Sequence, residues 1–380
     1  MRVLHLYSGN LFGGIESILL ALAARPAAQI HHEFALCFHG RLDRELTALG
    51  ASVRQLGPVR MSRPASAVRA RKVLAKLLTS EAFDRVICHA PWTHGLFGGV
   101  VQKAGVPLVF WAHDAMTGRH WTEKLARRVT PDLVVCNSRF TASTLPALYP
   151  TVPSAIVYAP VANANQPSSL TSRGAIRAEL ETANDTVVIV SACRSEPWKG
   201  HLLLVEALAE LKTTANWIWW QAGGAQRRSE EQYQRSVKQA ARKRGVFDRV
   251  RWLGERHDVP ALLAAADLYC QPNLKPEPFG MVFVEALAAG LPVVTSASGG
   301  ALEIIDQSCG RLVRTSDRAA LASTLRDLIE DRALRAQLAA AAPERARRLC
   351  DPTVFERRLF DVLNGMATPA VRETPVAVGA

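Results

Sequence analysis

Three absences narrow the reading of this 380-residue chain before any motif is considered. No apolar run reaches eighteen residues before a charge or a glycine breaks it, so no membrane-spanning helix is expected. The seven cysteines, Cys37, Cys88, Cys136, Cys193, Cys270, Cys309 and Cys350, are odd in number and nowhere closely paired. That spacing points away from a disulfide framework and indicates no metal site. Cys37, Cys88, Cys136 and Cys270 lie in or beside strand-like apolar runs, where cysteine acts as a small hydrophobe, and a reducing compartment is implied. The glycines never form a complete G-x-G-x-x-G, so nothing points to a nicotinamide cofactor.

Acidic residues are also in deficit, 34 against 46 lysines and arginines, for a formal charge of +12. Such an excess attracts anions: a nucleotide diphosphate, an acidic membrane face or nucleic acid. No nucleic-acid-binding module accompanies it, which sets the last aside. The segment from Arg54 to Lys76 carries Arg54, Arg60, Arg63, Arg69, Arg71, Lys72 and Lys76 and no acidic residue. Within it Val68, Val73, Leu74, Leu77 and Leu78 form an apolar stripe at helical spacing. A basic amphipathic helix of this kind can lie on anionic lipid or on an acidic acceptor, and a solvated face over the core is the alternative. Residues Ile18 to Ala24 superficially resemble a signal peptide. Glu16, Gly13-Gly14 and the strand-like Val3 to Tyr7 argue against export, so a cytoplasmic location is expected.

What the sequence does contain is enough apolar material, 48%, for two cores. Strand-like runs at Val3 to Tyr7, Arg85 to His89, Leu108 to Ala112, Leu133 to Cys136 and Ala155 to Tyr158 alternate with helical patterns such as Gly14 to Ala24 and Thr93 to Lys103. Small polar residues from Ala162 to Ser172 interrupt the alternation and read as a linker. It resumes with strands at Val187 to Ser191, Trp217 to Gln221, Val250 to Leu253, Leu268 to Gln271 and Val293 to Thr295. The expected fold is therefore α/β: two Rossmann-like, doubly wound domains facing a cleft, at about 1–165 and 173–350. A charged helix from Arg332 to Arg348, a last helix near 351–365 and a disordered tail over 366–380 complete the expectation.

Candidate chemistry gathers at the predicted carboxyl ends of strands. Glu277 and Glu285 flank a predicted helix start, because Pro276 and Pro278 keep the chain extended and Val282, Val284, Leu287 and Ala288 read as a buried helix running to Gly290. At 1.5 Å per helical residue, Glu285 is roughly 7 Å along from Gly280. The amides of Phe279, Gly280, Met281 and Val282 are helix-terminal donors suited to a phosphate, and Gly280 offers no side chain to repel one. Gly13-Gly14 opens a helix after the first strand, either approaching a phosphate or serving only as a tight turn. His113-Asp114 follows the strand Leu108 to Ala112. There His113 can bond a sugar hydroxyl, or Asp114 can merely cap the next helix. Arg194 and Lys199 follow another strand, as two surface cations or as a counter-charge for a diphosphate. Gly223-Gly224 and Gly299-Gly300 repeat the strand-end glycine pattern.

Together these segments resemble the retaining GT-B glycosyltransferases, most closely glycosyltransferase family 4. The resemblance spans nearly the whole chain, and its most specific part is Glu277 to Glu285 with Ala286 to Val294, Ser298-Gly299-Gly300 and Glu303-Ile304-Ile305. It implies that Glu277 binds hydroxyls of the donor sugar, that Phe279 to Val282 hold the sugar and the distal phosphate, and that Glu285 binds the ribose. It further implies that Arg194 and Lys199 stabilise the diphosphate, that His113 contacts the sugar, and that the loop at Gly14 approaches the phosphates. The last helix is implied to cross back to the N-terminal domain, which takes the acceptor. The implied partners are a nucleotide-sugar donor and a glycan or lipid-linked acceptor, with no metal, and the basic segment from Arg54 to Lys76 adds the expectation of peripheral contact at the inner membrane face. Cys193 stands where the family usually has glycine, and Gly223-Gly224 continues as Ala225-Gln226-Arg227-Arg228 instead of a Gly-x-Gly-Pro-like turn. Alternatives on the same fold are an epimerase or phosphorylase-like enzyme, or a sugar-nucleotide-binding subunit without turnover.

Overall fold

A computed structural model describes residues 1–10, 13–24, 29–60, 62–161, 172–213 and 216–366. The chain divides into two compact units, Met1–Ala159 with the chain from Thr353, and Pro160–Pro352. The expected linker lies outside the described residues except for Ser172, and so does the tail after Met366. Ser172 itself caps the helix Arg173–Glu179, its hydroxyl accepting from the Ala175 amide at 3.2 Å.

The first unit is built on seven parallel strands: β1 (Arg2–Tyr7), β2 (His31–Leu36), β3 (Ser52–Gln55), β4 (Arg85–His89), β5 (Leu108–Ala112), β6 (Leu133–Cys136) and β7 (Ser154–Ile156). Their order is β3-β2-β1-β4-β5-β6-β7, so the winding reverses between β1 and β4. Two strands here were not expected from sequence. β2 opens on the polar His31-His32-Glu33, and β3 is a half-exposed edge strand, so neither reads as a continuous apolar run. β7 is also shorter than its apolar run suggests, because it is the opposite edge. The last helix, Pro352–Asn364, packs back on this unit: Phe355 stacks on Trp111 at 6.3 Å, and Arg85 Nε donates to the Leu363 carbonyl at 3.1 Å.

The basic segment is reorganised relative to expectation. Arg54 lies on β3 and pairs with Glu81 at 3.1 Å, while the helix runs Pro64–Ser80 and buries Ala70, Leu74 and Leu78. Val68 and Val73 are exposed, so they are not part of the core stripe. Arg71 is held by the Leu96 carbonyl at 2.8 Å. The outward face therefore presents Arg69, Lys72 and Lys76 beside those two valines.

The second unit has six parallel strands: β8 (Val187–Ala192), β9 (Trp217–Ala222), β10 (Val250–Gly254), β11 (Leu268–Gln271), β12 (Val293–Ser296) and β13 (Gly310–Val313), the last unforeseen. In the order β10-β9-β8-β11-β12-β13 the reversal falls between β8 and β11. Trp217, Trp219 and Trp220 on β9 are buried, and each indole N–H is satisfied, by the Leu211 carbonyl, the Ser191 hydroxyl and the Thr182 hydroxyl.

A buried guanidinium ties the entry helix of this unit to the sheet. Arg177 donates to Asp267 Oδ2 at 2.6 Å and to the carbonyls of Ala265, Ala183, Asn184 and Thr186, while Asp267 Oδ2 also accepts from the Val188 amide. Removing the cation leaves four carbonyls short of a donor and Asp267 short of its strongest partner. Arg177→Met is expected to lower stability by about 3–5 kcal/mol, read as a reduced urea midpoint by tryptophan fluorescence.

Candidate active site

In open parallel sheets a ligand crevice opens where the strand order reverses, beyond the carboxyl ends of the two diverging strands. In the second unit those strands are β8 and β11. The loop after β8 delivers Arg194 and, in the short turn Pro197–Lys199, Lys199. The end of β11 delivers Gln271, and the loop after it delivers Asn273 and Glu277. Lys199 Nζ meets Glu277 Oε2 at 2.8 Å, with both side chains largely buried. Asn273 Nδ2 donates to the same oxygen at 2.8 Å and Gln271 Nε2 at 3.3 Å. Tyr269, buried on β11, fixes Gln271 by donating to its Oε1 at 2.7 Å. Glu277 is thus gripped three times through Oε2, and Oε1 has no hydrogen bond among the described residues. Lys199 also lies 3.8 Å over the Trp198 ring, a cation–π contact that limits its swing.

The backbone around Glu277 is held as firmly. Glu277 forms a parallel bridge with Gly299, and the Gly300 amide donates to the Glu277 carbonyl at 2.7 Å. A β-carbon on Gly299, which adopts φ +63°, would collide with that carbonyl oxygen, so only glycine lets the two loops touch here. Gly280, at φ +111°, turns the chain into the helix Met281–Ala288. Met281 and Val282 occupy its first turn, where amides have no intrahelical acceptor and the helix dipole favours negative charge. The helix buries Phe283, Val284, Ala286 and Leu287. Val282 and Ala288, expected in the core, are only half-buried, because the buried face is set by the contact of Phe283 with Tyr269.

Glu285 lies one turn into this helix. Burial pushes its carboxyl up to about 7, so it titrates near neutrality. Arg194 is not joined to Lys199. It spans Glu196, at 3.0 Å, and the buried Glu230, also at 3.0 Å, whose other oxygen accepts from the Gln226 amide. Cys193 approaches His201 Nε2 at 3.4 Å, and burial pushes its thiol up to about 12, so it is not a thiolate. Gln271, Asn273, Trp198 and Glu230 were missed in the sequence. The one signal available for the first two was their place at the carboxyl end of a strand and just beyond it.

The first unit carries its own candidates. Gly13 and Gly14 start the helix Gly14–Ala23 and are exposed. Glu16, in its first turn, accepts from the Tyr7 hydroxyl at 2.6 Å. His113 follows β5 and is buried, with its Nε2 2.9 Å from His89 Nδ1. Its carbonyl accepts from Asn137, and burial pulls its pKa down to about 3, so the ring is neutral. No group of three or more His, Cys, Asp or Glu with metal-binding geometry occurs among the described residues.

Residues 172–345 match the family model described as glycosyl transferases group 1, and residues 12–161 match that of glycosyltransferase family 4. A phosphatidyl-myo-inositol mannosyltransferase of Mycobacterium leprae is 36% identical over 176 residues, 46% of this chain and 45% of that protein. A D-inositol 3-phosphate glycosyltransferase of Nocardioides is 30% identical over 297 residues, 70% of this chain and 64% of the relative. The matches thus span from under half to just under two thirds of these curated relatives. The crystal structure of Anabaena HepE in complex with UDP and glucose superposes with a TM-score of 0.85 at 25% identity, covering 96% of this chain and 99% of that one.

The Glu285 carboxyl has a measurable consequence. Its folded pKa lies above the ordinary value of 4.5, so the folded state binds the extra proton between about 4.5 and 7. Stability from this group is therefore complete below pH 4.5 and lost as pH rises through 7. Compared with wild type, Glu285→Gln is expected to gain on the order of 1–3 kcal/mol at pH 8 and nothing at pH 4.5. Thermal or urea unfolding at both pH values checks this.

Proposed function

The chain belongs to glycosyltransferase family 4, and we propose that it moves a sugar from a nucleotide diphosphate sugar to an acceptor hydroxyl in glycan, polysaccharide or glycolipid synthesis. The observation that carries this reading is the Glu277 carboxylate, immobilised through one oxygen by Lys199, Asn273 and Gln271 with the other oxygen left to accept from a sugar hydroxyl. It stands just ahead of the first turn of the helix Met281–Ala288, whose amides suit a phosphate. A fixed carboxylate beside an anion-binding helix end matches a ligand with hydroxyls at one end and a diphosphate next to them. HepE, the solved relative, was crystallised with UDP and glucose, a ligand pair of that composition.

In this reading Lys199 and Arg194 face the diphosphate and supply the positive charge, with no metal required. Glu285, as a carboxylate, accepts from the ribose hydroxyls, and Gly13-Gly14 approaches the phosphates. The bond from the anomeric carbon to the diphosphate oxygen breaks as the acceptor oxygen bonds to the same face of that carbon. The acceptor's proton passes to the departing phosphate oxygen. Configuration is retained, and neither Glu277 nor Glu285 forms a covalent intermediate.

The relatives are named for transfer to inositol phosphates or inositol lipids, which supports a polyol or lipid-linked acceptor. A lipid acceptor brings the enzyme to a membrane surface. The outward face of Pro64–Ser80, with Arg69, Lys72 and Lys76 beside the exposed Val68 and Val73, suits an anionic one.

A thermal-shift screen of nucleotide diphosphates and their sugar conjugates, followed by transfer assays and NMR of the product anomer, tests the assignment. Glu277→Gln and Lys199→Ala are each expected to lower kcat by about 10²–10³-fold. A kcat left essentially unchanged by either substitution, or an inverted product anomer, contradicts the mechanism. Reversing Arg69, Lys72 and Lys76 to glutamate is expected to abolish co-sedimentation with vesicles containing phosphatidylglycerol while leaving vesicles of phosphatidylcholine unaffected. Unchanged sedimentation makes this face a plain solvated one.

A further inference from the structure

Four histidines run in single file across one face of the first sheet. Strand alternation and register place them there: His5 on β1 stands beside Phe34 on β2 and Ile87 on β4, and His89 stands beside Trp111 on β5. His32 lies two residues before Phe34 and His113 two after Trp111, so both share that face. The links are uniform. His32 Nδ1 meets His5 Nε2, His5 Nδ1 meets His89 Nε2, and His89 Nδ1 meets His113 Nε2, each at 2.9 Å. Phe34 stacks on His5, and Trp111 stacks on both His89 and His113, so apolar rings wall the row. His5, His89 and His113 are buried, and His32 is half-buried. Burial holds all four neutral, with His32 pulled to about 4 and His113 to about 3.

Neutral imidazole has one N–H and one bare nitrogen, and each link requires one of each. A row of four therefore has only two arrangements. In one, every ring carries its proton on Nε2, His113 Nδ1 is bare and His32 Nε2–H faces outward. In the other, every ring is protonated on Nδ1. His113 Nδ1 is buried with no partner among the described residues, whereas His32 lies at the half-buried end. A buried N–H without an acceptor is among the rarest defects in folded proteins, while an outward N–H can bond water. The ligand-free protein thus favours the Nε2–H arrangement.

We propose that His32, His5 and His89 are positioning residues that hold His113 as its Nε2–H tautomer, so that its bare Nδ1 accepts a hydrogen bond from a hydroxyl of the bound nucleotide sugar. The identity of that ligand rests on the function proposed above; the coupling along the row does not. No net charge enters the sheet, because the proton count of the row never changes. His32, remote in sequence from His113, thereby supplies the acceptor that closes the arrangement in which the atom meeting the sugar is bare.

Nitrogen-15 NMR of histidine-labelled protein tests the row without any ligand. Wild type is expected to show His5, His32, His89 and His113 all as Nε2–H tautomers. In His32→Phe each arrangement carries one buried N–H without an acceptor, on His5 Nε2 or on His113 Nδ1, so the preference is lost and His113 is expected to show both tautomers. In His32→Gln, whose amide oxygen can accept from His5, His113 is expected to stay Nε2–H. Mixed tautomers in wild type, or a His113 signal unmoved by His32→Phe, overturns the proposal. Adding UDP-glucose or GDP-mannose, whichever stabilises the protein, should shift His113 Nδ1, and His32→Phe should weaken binding of that donor about twofold, by the fraction of competent tautomer lost, while His32→Gln does not. A donor that binds without moving His113 Nδ1 overturns the ligand contact. If neither donor binds, the function proposed above fails, and the ligand-free spectra still decide the coupling.

Discussion

The ion pair between Lys199 and Glu277 is the contact on which the second unit's site depends, because it closes a gap that the strand order creates. Strands β8 and β11 are neighbours in the sheet but 75 or more residues apart in sequence, and their loops leave in opposite directions around the reversal point. The ion pair at 2.8 Å joins those loops side chain to side chain, the Leu274 amide donating to the Trp198 carbonyl at 2.7 Å joins their backbones, and Gln271, Asn273, Gly299 and Gly300 brace the carboxylate of the ion pair. Both partners are largely buried, so losing either leaves an uncompensated charge where solvent cannot screen it.

Charge balance at this site differs from what two cations after a strand suggest. In the ligand-free protein Lys199 is committed to Glu277, and Arg194 to Glu196 and Glu230, so two cations face three carboxylates. A diphosphate does not enter a vacant basic pocket. In the function proposed above it is met by the helix-terminal amides and competes with carboxylates for the side-chain cations. Such a site favours a ligand that offers hydroxyls as well as phosphates, since its hydroxyls can satisfy the carboxylates from which the phosphates draw the cations. An inorganic anion offers only half of that exchange, and this asymmetry is a source of specificity that composition alone does not reveal.

The alternating α/β pattern, the central strands and Glu277, Lys199 and Gly280 were legible in the sequence because buried parallel strands are continuous apolar runs and strand ends are marked by glycine and proline. Strands β2, β3 and β13 were not, since each is short, polar at one end or placed at a sheet edge. Arg194 was read correctly as a cation after a strand, but its carboxylate partner Glu230 lies 36 residues later, and no local pattern predicts that meeting. The stripe on Pro64–Ser80 was misjudged at Val68 and Val73 because helical spacing defines a face without saying how much of it the sheet covers. Only one member of the histidine row stood out, since register, which brings β1, β2, β4 and β5 side by side, is a property of pairing and not of any single strand.

The two units solve a common problem with opposite chemistry. Each is a parallel sheet whose winding reverses once, and each places polar side chains beside that reversal where they must be satisfied without water. In the second unit the solution is charge: carboxylates and cations paired across β8 and β11, strong but costly to desolvate. In the first, β1 and β4 carry His5 and His89 at the reversal, and neutrality is preserved by passing hydrogen bonds from ring to ring. The choice follows from the surroundings. Trp111 stacks on His89 and His113 and is itself covered by Phe355 of the returning C-terminal helix, which leaves an apolar wall where an ion pair would be expensive and a neutral row is not. The C-terminal helix thereby acts on the first unit's chemistry as well as on its stability, because it keeps dry the ring against which His113 lies.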